Sequence, residues 1–300
     1  MRSAASLIVT APLAALAGRT AARGDTACNY GVLMVRRVGG GSFGGALVFP
    51  GGVQEEQDKG PGDPHVACAI RETYEETGLL LLAAEPPALR ARAGASFRDL
   101  STMHSTPFRD FCFNNGASAL RTHMLAQWTT PRAQHKRFDT RFLMLNIGDD
   151  DKFALSQLGQ EHVQAGELAE LDWIAPDQAL RDNRTTLALL PPQAYMLHEL
   201  SQLRRWQDLA RRAELLDQSA ADRPMEPVLS RRSDGRVVAL FPGDRAYPDM
   251  QENELLCDTD LFCREPHAPG LHRMEMDPAP VGGFLATNLI RTVAYGQPRL

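Results

Sequence analysis

The sequence predicts an α+β fold, and three observations predict it. One is an acidic helix with both of its ends marked. The second is a strand that runs into a Pro-Gly-Gly turn ahead of that helix. The third is a series of strand-like segments on either side of the pair. The chain has 300 residues and is 43% apolar, enough for a substantial core in one large domain or in one domain with an appendage.

The helix is signalled first. Asp63 suits the N-cap, Pro64 suits the first helical position, and Gly78 is the expected left-handed residue at the C-terminus. Val66, Ile70, Thr73, Tyr74 and Thr77 recur at the spacing of one buried face. Glu72, Glu75 and Glu76 share a separate patch, because residues three and four apart are neighbours on a helix. Three clustered carboxylates repel one another unless water solvates them or a cation neutralises them. One reading is a solvated acidic face with an Arg71–Glu75 pair at i, i+4. The other is a site for a hard divalent ion, which takes oxygen ligands and shares them with substrate phosphates.

Upstream, Ala46-Leu47-Val48-Phe49-Pro50-Gly51-Gly52 reads as a strand ending in a glycine turn. The order of strand, glycine turn, loop, acidic helix and Gly-Leu resembles the Nudix box, G-x5-E-x7-R-E-U-x-E-E-x-G-U with U apolar. The stretch Arg71-Glu72-Thr73-Tyr74-Glu75-Glu76-Thr77-Gly78-Leu79 matches it nearly throughout, with Thr73 at a U position. The resemblance implies a three-layer α/β/α sandwich around a mixed β-sheet. A Nudix domain is expected over residues 1–200, with a helical insertion at about 85–126. A C-terminal extension, residues 201–300, is expected to pack on it.

The spacing departs from the pattern in one place. The pattern leaves thirteen residues between the turn glycine and the arginine, whereas eighteen separate Gly52 from Arg71 here. The surplus falls in a loop-like run, residues 54–62. The first box glutamate therefore has no clear counterpart: Asp63 lies at the right distance from Arg71, and Glu55 and Glu56 at the right distance from the turn.

The remaining elements follow in order. Residues 5–10 and 30–37 read as strands, and the glycine-rich residues 39–45 as a hairpin-like connection. A phosphate cradle there is a weak reading, because no GK[ST] follows. Residues 79–84 are strongly apolar, and residues 119–126 are expected to form a short helix. Gln127-Trp128-Thr129-Thr130-Pro131 precedes a strand that opens with Lys136-Arg137-Phe138-Asp139-Thr140-Arg141. Gly166-Glu167-Leu168-Ala169-Glu170-Leu171-Asp172-Trp173 enters another strand, and residues 177–190 suggest the second helix of the sandwich. Residues 194–217 read as one amphipathic helix, residues 224–248 as a hairpin turning at 233–236, and residues 271–276 and 289–294 as strands.

The W-x-T-P and K-R-F-D-T segments, with Leu190-Pro191-Pro192 and Leu240-Phe241-Pro242-Gly243-Asp244, resemble the long coenzyme A diphosphatase-like branch of peroxisomes and mitochondria. By that resemblance the metal ligands are Glu72, Glu75 and Glu76, joined by the Gly52 carbonyl, and the ion is Mg2+ or Mn2+. Glu75 or a later glutamate is the base; Glu167 is the first later candidate and Glu170 the second. Arg71 is expected to orient the carboxylates. Arg132, Lys136, Arg137 and Arg141 form a basic group that reads either as scattered surface charge or as a phosphate-binding patch. The expected reaction splits coenzyme A or acyl-coenzyme A into 3′,5′-ADP and (acyl) 4′-phosphopantetheine. A pyrophosphatase for ADP-ribose or reduced NAD is the alternative, and a non-catalytic binding module of the same fold is another.

Composition narrows partners and compartment. The net charge of −5 argues against a surface that coats nucleic acid, and no apolar run is long enough to span a bilayer. The expected partner is a small nucleoside diphosphate substrate, with oligomeric state left open. Five scattered cysteines without a CxxC pair argue against a disulfide framework or zinc site and for a reducing compartment. The final Pro298-Arg299-Leu300 approximates a peroxisomal address, with mitochondrion and cytosol as the other candidates.

Overall fold

A computed structural model describes residues 1–16, 25–38, 45–84, 118–158, 168–183, 185–216, 224–231, 236–248, 269–278 and 284–292. Several predicted features lie outside these residues: most of the insertion (85–117), most of the glycine-rich connection (39–44), Glu167, the 233–235 turn and the terminal tripeptide.

The main sheet is built on β1 (Arg2–Pro12), an eleven-residue strand buried along nearly its whole length. It pairs in parallel with β6 (Phe138–Asn146) and antiparallel with β2 (Tyr30–Arg37) and β4 (Gly51–Val53). The path runs β3-β2-β1-β6-β5, where β3 is Leu47–Val48 and β5 is His123–Thr129; β7 (Leu168–Ile174) also pairs with β2. The sheet is therefore mixed, as expected.

Strand alternation sends successive β1 side chains to opposite faces. Ala5, Leu7 and Val9 join Cys68, Ala69 and Ile70 of helix α1 (Pro64–Thr77) on one side. Ile8, with Val32, Met34 and Met144, faces the other side. There it meets α4 (Pro191–Ser201) and α5 (Trp206–Leu216) through Tyr195, Leu197, Leu209 and Ala213. Two short helices, α2 (Lys152–Gln157) and α3 (Pro176–Asp182), complete the helical set among the described residues. Tyr30 anchors the second layer by donating its buried hydroxyl to the Leu200 carbonyl at 2.7 Å.

A second, antiparallel sheet follows: β8 (Val228–Arg231), β9 (Val237–Leu240), β10 (His272–Pro278) and β11 (Phe284–Arg291). Its Val237, Ala239, Met274 and Ala286 share one apolar cluster with α4 and the main sheet. Trp128, Tyr195 and Phe241 meet edge-on there, with ring centroids 5.4–5.5 Å apart.

Three expectations need correction. Residues 123–129 are strand, not the end of a helix, although Met124, Leu125 and Ala126 are good helix formers. Pairing with β6 overrides that local preference. The helix expected over 177–190 ends at Asp182, where Asn183 leaves it to bridge the Leu189 N–H and the Ala286 carbonyl. The helix expected over 194–217 is two helices. Asn29 holds the break open, its amide donating to the Arg204 carbonyl and its side chain accepting from Trp206 N at 2.7 Å. Apart from Leu189, six residues from Asn183, these partners are distant in sequence.

His272 is fully buried where the two sheets meet. Its Nδ1 lies 2.8 Å from the Pro242 carbonyl, so it carries the proton and Nε2 accepts from Tyr195 Oη at 2.9 Å. Burial drives its pKa down to about 4 from the usual 6.5. Between those values the unfolded chain binds the extra proton, so stability rises with pH. It is complete above about pH 6.5 and falls by on the order of 3 kcal/mol by pH 4. Thermal unfolding across that range checks this. A His272→Gln variant is expected to show a shallower loss, and parallel curves for the two proteins would refute the assignment.

Candidate active site

Helix α1 begins and ends as its sequence dictates. Asp63 accepts from His65 N at 2.8 Å, Pro64 takes the first turn, and Gly78 closes the helix at φ 76°. The apolar face against β1 fixes the helix rotation, and that in turn directs Arg71, Glu72, Glu75 and Glu76 toward the glycine turn.

Arg71 is the hub, only 1% exposed. Its Nε and Nη2 grip both oxygens of Asp58 at 2.9 and 3.0 Å. Its Nη1 reaches Glu72 Oε1 and Glu75 Oε2, each at 2.9 Å. Nη2 also donates to the Val53 carbonyl at 3.3 Å. Burial opposes the guanidinium charge, but Asp58, Glu72 and Glu75 outweigh it and hold the pKa above its ordinary value. Glu72 and Glu75 are raised above the usual carboxylate range, chiefly by burial, against the opposing pull of Arg71.

Asp58 is the residue that sequence reasoning missed. It closes a short 3-10 turn, Glu56–Asp58, and is 1% exposed. It supplies the buried anion that the shifted box spacing left without a counterpart. Asp63 caps the helix instead, and Glu55 accepts from the Gln57 side chain. The available signal was general: a buried guanidinium requires a partner, and the loop before it offers four acids, Glu55, Glu56, Asp58 and Asp63.

The turn is moulded to the helix. Gly51, at φ 154°, donates its N–H to Glu76 Oε2 at 3.0 Å. A Cβ on Gly51 would lie 2.4 Å from the Ala5 carbonyl oxygen. A Cβ on Gly52 would lie 2.3 Å from the Glu72 carboxylate, so only glycine lets that carboxylate close on the turn. Cys68 lies beside it, its thiol pushed up to about 12 by burial and thus protonated.

The donors suit a hard divalent ion in kind. Among the described residues, however, no three His, Cys, Asp or Glu side chains form a preformed metal shell. The carboxylates gather around Arg71 instead. Arg71 engages Glu72 Oε1 and Glu75 Oε2, which leaves Glu72 Oε2 and Glu75 Oε1 as the oxygens that would take an ion.

The basic group divides. Arg132 and Arg137 both pair with Glu226, at 3.1 and 2.6 Å, and Lys136 is exposed in the β5–β6 connection. Arg141 stands apart from them. The strand register runs Gly52–Ala5–Arg141, so its row crosses the sheet from the turn itself. Its side chain is 35% exposed and lies 3.5 Å from Asp63. Glu170 pairs with Arg36 at 3.0 Å, and Glu167 lies outside the described residues.

The chain is similar to several known proteins. Residues 61–200 match the model of the NUDT19 Nudix domain. The putative nudix hydrolase 7 of Caenorhabditis elegans is 28% identical over 85% of this chain and 76% of its own length. The acyl-coenzyme A diphosphatases NUDT19 of human and chicken are each 28% identical over 63% and 66% of this chain. The matched segments span 52% and 57% of those two relatives. A Nudix hydrolase structure from Alicyclobacillus acidocaldarius superposes with a TM-score of 0.48 and 24% identity, covering 75% of this chain and 98% of its own.

Proposed function

We propose that this chain, a Nudix hydrolase resembling the coenzyme A diphosphatase branch, cleaves the diphosphate of coenzyme A or acyl-coenzyme A. The products are 3′,5′-ADP and (acyl) 4′-phosphopantetheine. The observation that carries the reading is the buried Arg71 holding Glu72 and Glu75 beside the Gly51-Gly52 turn. Substrate class is drawn from relatives whose matched segments cover about half of their length.

Glu72 and Glu75 would hold a Mg2+ or Mn2+ ion through the oxygens that Arg71 leaves open, and the ion would supply charge neutralisation for the diphosphate and a more acidic water. The protein holds the carboxylates in place: Asp58 locks Arg71, Arg71 spaces Glu72 and Glu75, and the Gly51 amide fixes Glu76. Glu75, with 41% of its side chain exposed, is the base within reach of solvent. Arg141 is the residue of the basic group assigned to a substrate phosphate, because the strand register ties it to the turn.

Purified protein with Mg2+ or Mn2+ is offered coenzyme A, an acyl-coenzyme A, ADP-ribose and reduced NAD in parallel. Release of 3′,5′-ADP at the highest kcat/KM from the coenzyme A substrates is expected. Preference for ADP-ribose or the dinucleotide overturns the substrate assignment and leaves the carboxylate chemistry standing. In the same assay Arg141→Ala is expected to raise KM for coenzyme A about tenfold or more, on the scale of one lost charged hydrogen bond. Arg132→Ala changes it little, since its partner Glu226 is already shared with Arg137.

A further inference from the structure

One chain of hydrogen bonds beside this site is not used by the diphosphate chemistry proposed above. Ser3 Oγ lies 2.9 Å from His65 Nε2, and His65 Nδ1 lies 3.1 Å from Asp63 Oδ1. Its polarity follows from the donor inventory. An ionised carboxylate only accepts, so Nδ1 carries the proton; in the neutral ring Nε2 is then a lone pair, to which the serine hydroxyl donates.

Each member is held from outside. Asp63 Oδ1 also accepts from His65 N at 2.8 Å, and Arg141 lies 3.5 Å from Oδ2. The Ser3 carbonyl accepts from Gln54 N at 3.0 Å, which sets Gln54 beside the serine. Gln54 Nε2 is buried and has no hydrogen-bond partner among the described residues. Ser3 and His65 keep part of their surface open to solvent. A hydroxyl donating to a neutral imidazole, with a carboxylate behind the imidazole, is the arrangement that activates a serine nucleophile.

We propose that Ser3, His65 and Asp63 form a second hydrolytic centre, acting on carboxylic esters or thioesters. Ser3 Oγ attacks the acyl carbon while its proton passes to His65 Nε2. The tetrahedral adduct collapses by breaking the C–O or C–S bond, and the His65 proton leaves on the alcohol or thiol. Water then attacks the acyl-serine with His65 as base and releases the carboxylic acid, restoring the serine. The Gln54 amide is the donor assigned to the carbonyl oxygen as its charge develops. Ser3 sits two residues along β1 from Ala5, the partner of Gly52, so the two centres are roughly 7 Å apart along the strand.

A fluorophosphonate probe and p-nitrophenyl acetate test this on the intact protein. The expected results are a covalent adduct on Ser3, located by peptide mass analysis, and release of p-nitrophenol. Ser3→Ala is expected to lower that release about 100-fold or more and to leave coenzyme A hydrolysis unchanged. Glu75→Gln is expected to do the reverse, so failure of either activity is read separately. Absence of a Ser3 adduct on the native protein overturns the proposal. So does equal ester hydrolysis by native protein and Ser3→Ala, and both results would leave the chain as a pin between β1 and α1.

Discussion

Replacing Asp58 with alanine is expected to destabilise the protein by about 3–5 kcal/mol, the scale of breaking a buried ion pair by removing one partner, with Glu72 and Glu75 left to hold only Nη1 of Arg71. Asp58 and Arg71 are each 1% exposed, so water does not replace the lost partner. Two of the guanidinium nitrogens, Nε and Nη2, lose their shortest bonds. Glu72 and Glu75 draw on the same cation and lose their spacing with it. Turnover is therefore expected to fall together with stability. Urea unfolding and kcat/KM measured on one preparation check both effects.

A double variant separates them. Asp58→Ala with Arg71→Met removes the Asp58–Arg71 pair as a whole, and stability is expected to recover in part, because Glu72 and Glu75 lose the cation they shared. Activity is expected to stay lost, because nothing then spaces Glu72 and Glu75. A single Asp58→Ala variant that loses less than about 1 kcal/mol would mean that Glu72 and Glu75 alone compensate the Arg71 charge, and would remove the role assigned here to Asp58.

Glu75→Gln is expected to lower kcat by about 10²–10⁴-fold, the usual contribution of a positioned base, with KM nearly unchanged. Its fold should survive, since Arg71 keeps Asp58 and Glu72. Glu76→Gln is a sharper control on charge. Its amide oxygen is able to accept the Gly51 N–H as Glu76 Oε2 does at 3.0 Å, so geometry is kept while charge is removed. Activity lost in both variants, with unchanged unfolding midpoints, assigns the loss to carboxylate charge. Full activity in both would mean that these side chains take no part in the chemistry.

The pair of stretches that carry the site was legible because each is a local matter. A helix with Asp63, Pro64 and Gly78 at its ends signals itself, and its Glu72, Glu75 and Glu76 lie together by helical geometry alone. The same holds for the strands over 2–12 and 30–37. Residues whose roles depend on distant partners were not legible. Asp58 lies thirteen residues before Arg71 in a segment whose length departs from the family pattern. Arg132 and Arg137 sit near Lys136 and Arg141 in sequence, yet they turn to Glu226 in the segment that leads into the second sheet.

By itself, then, the sequence determined the class of fold, the acidic helix, the glycine turn and the family to which they point. The helix and the turn are set by caps, periodicity and spacing within a few residues, and the fold and family follow from what those two stretches resemble. The tertiary structure alone decided which anion neutralises Arg71, which cation shares a sheet row with the turn, and where helices stop. It also brought Ser3 to His65 across 62 positions of chain. Those outcomes depend on burial and on pairing between strands far apart in sequence, where desolvation makes an unpaired charge costly and the register selects the partner.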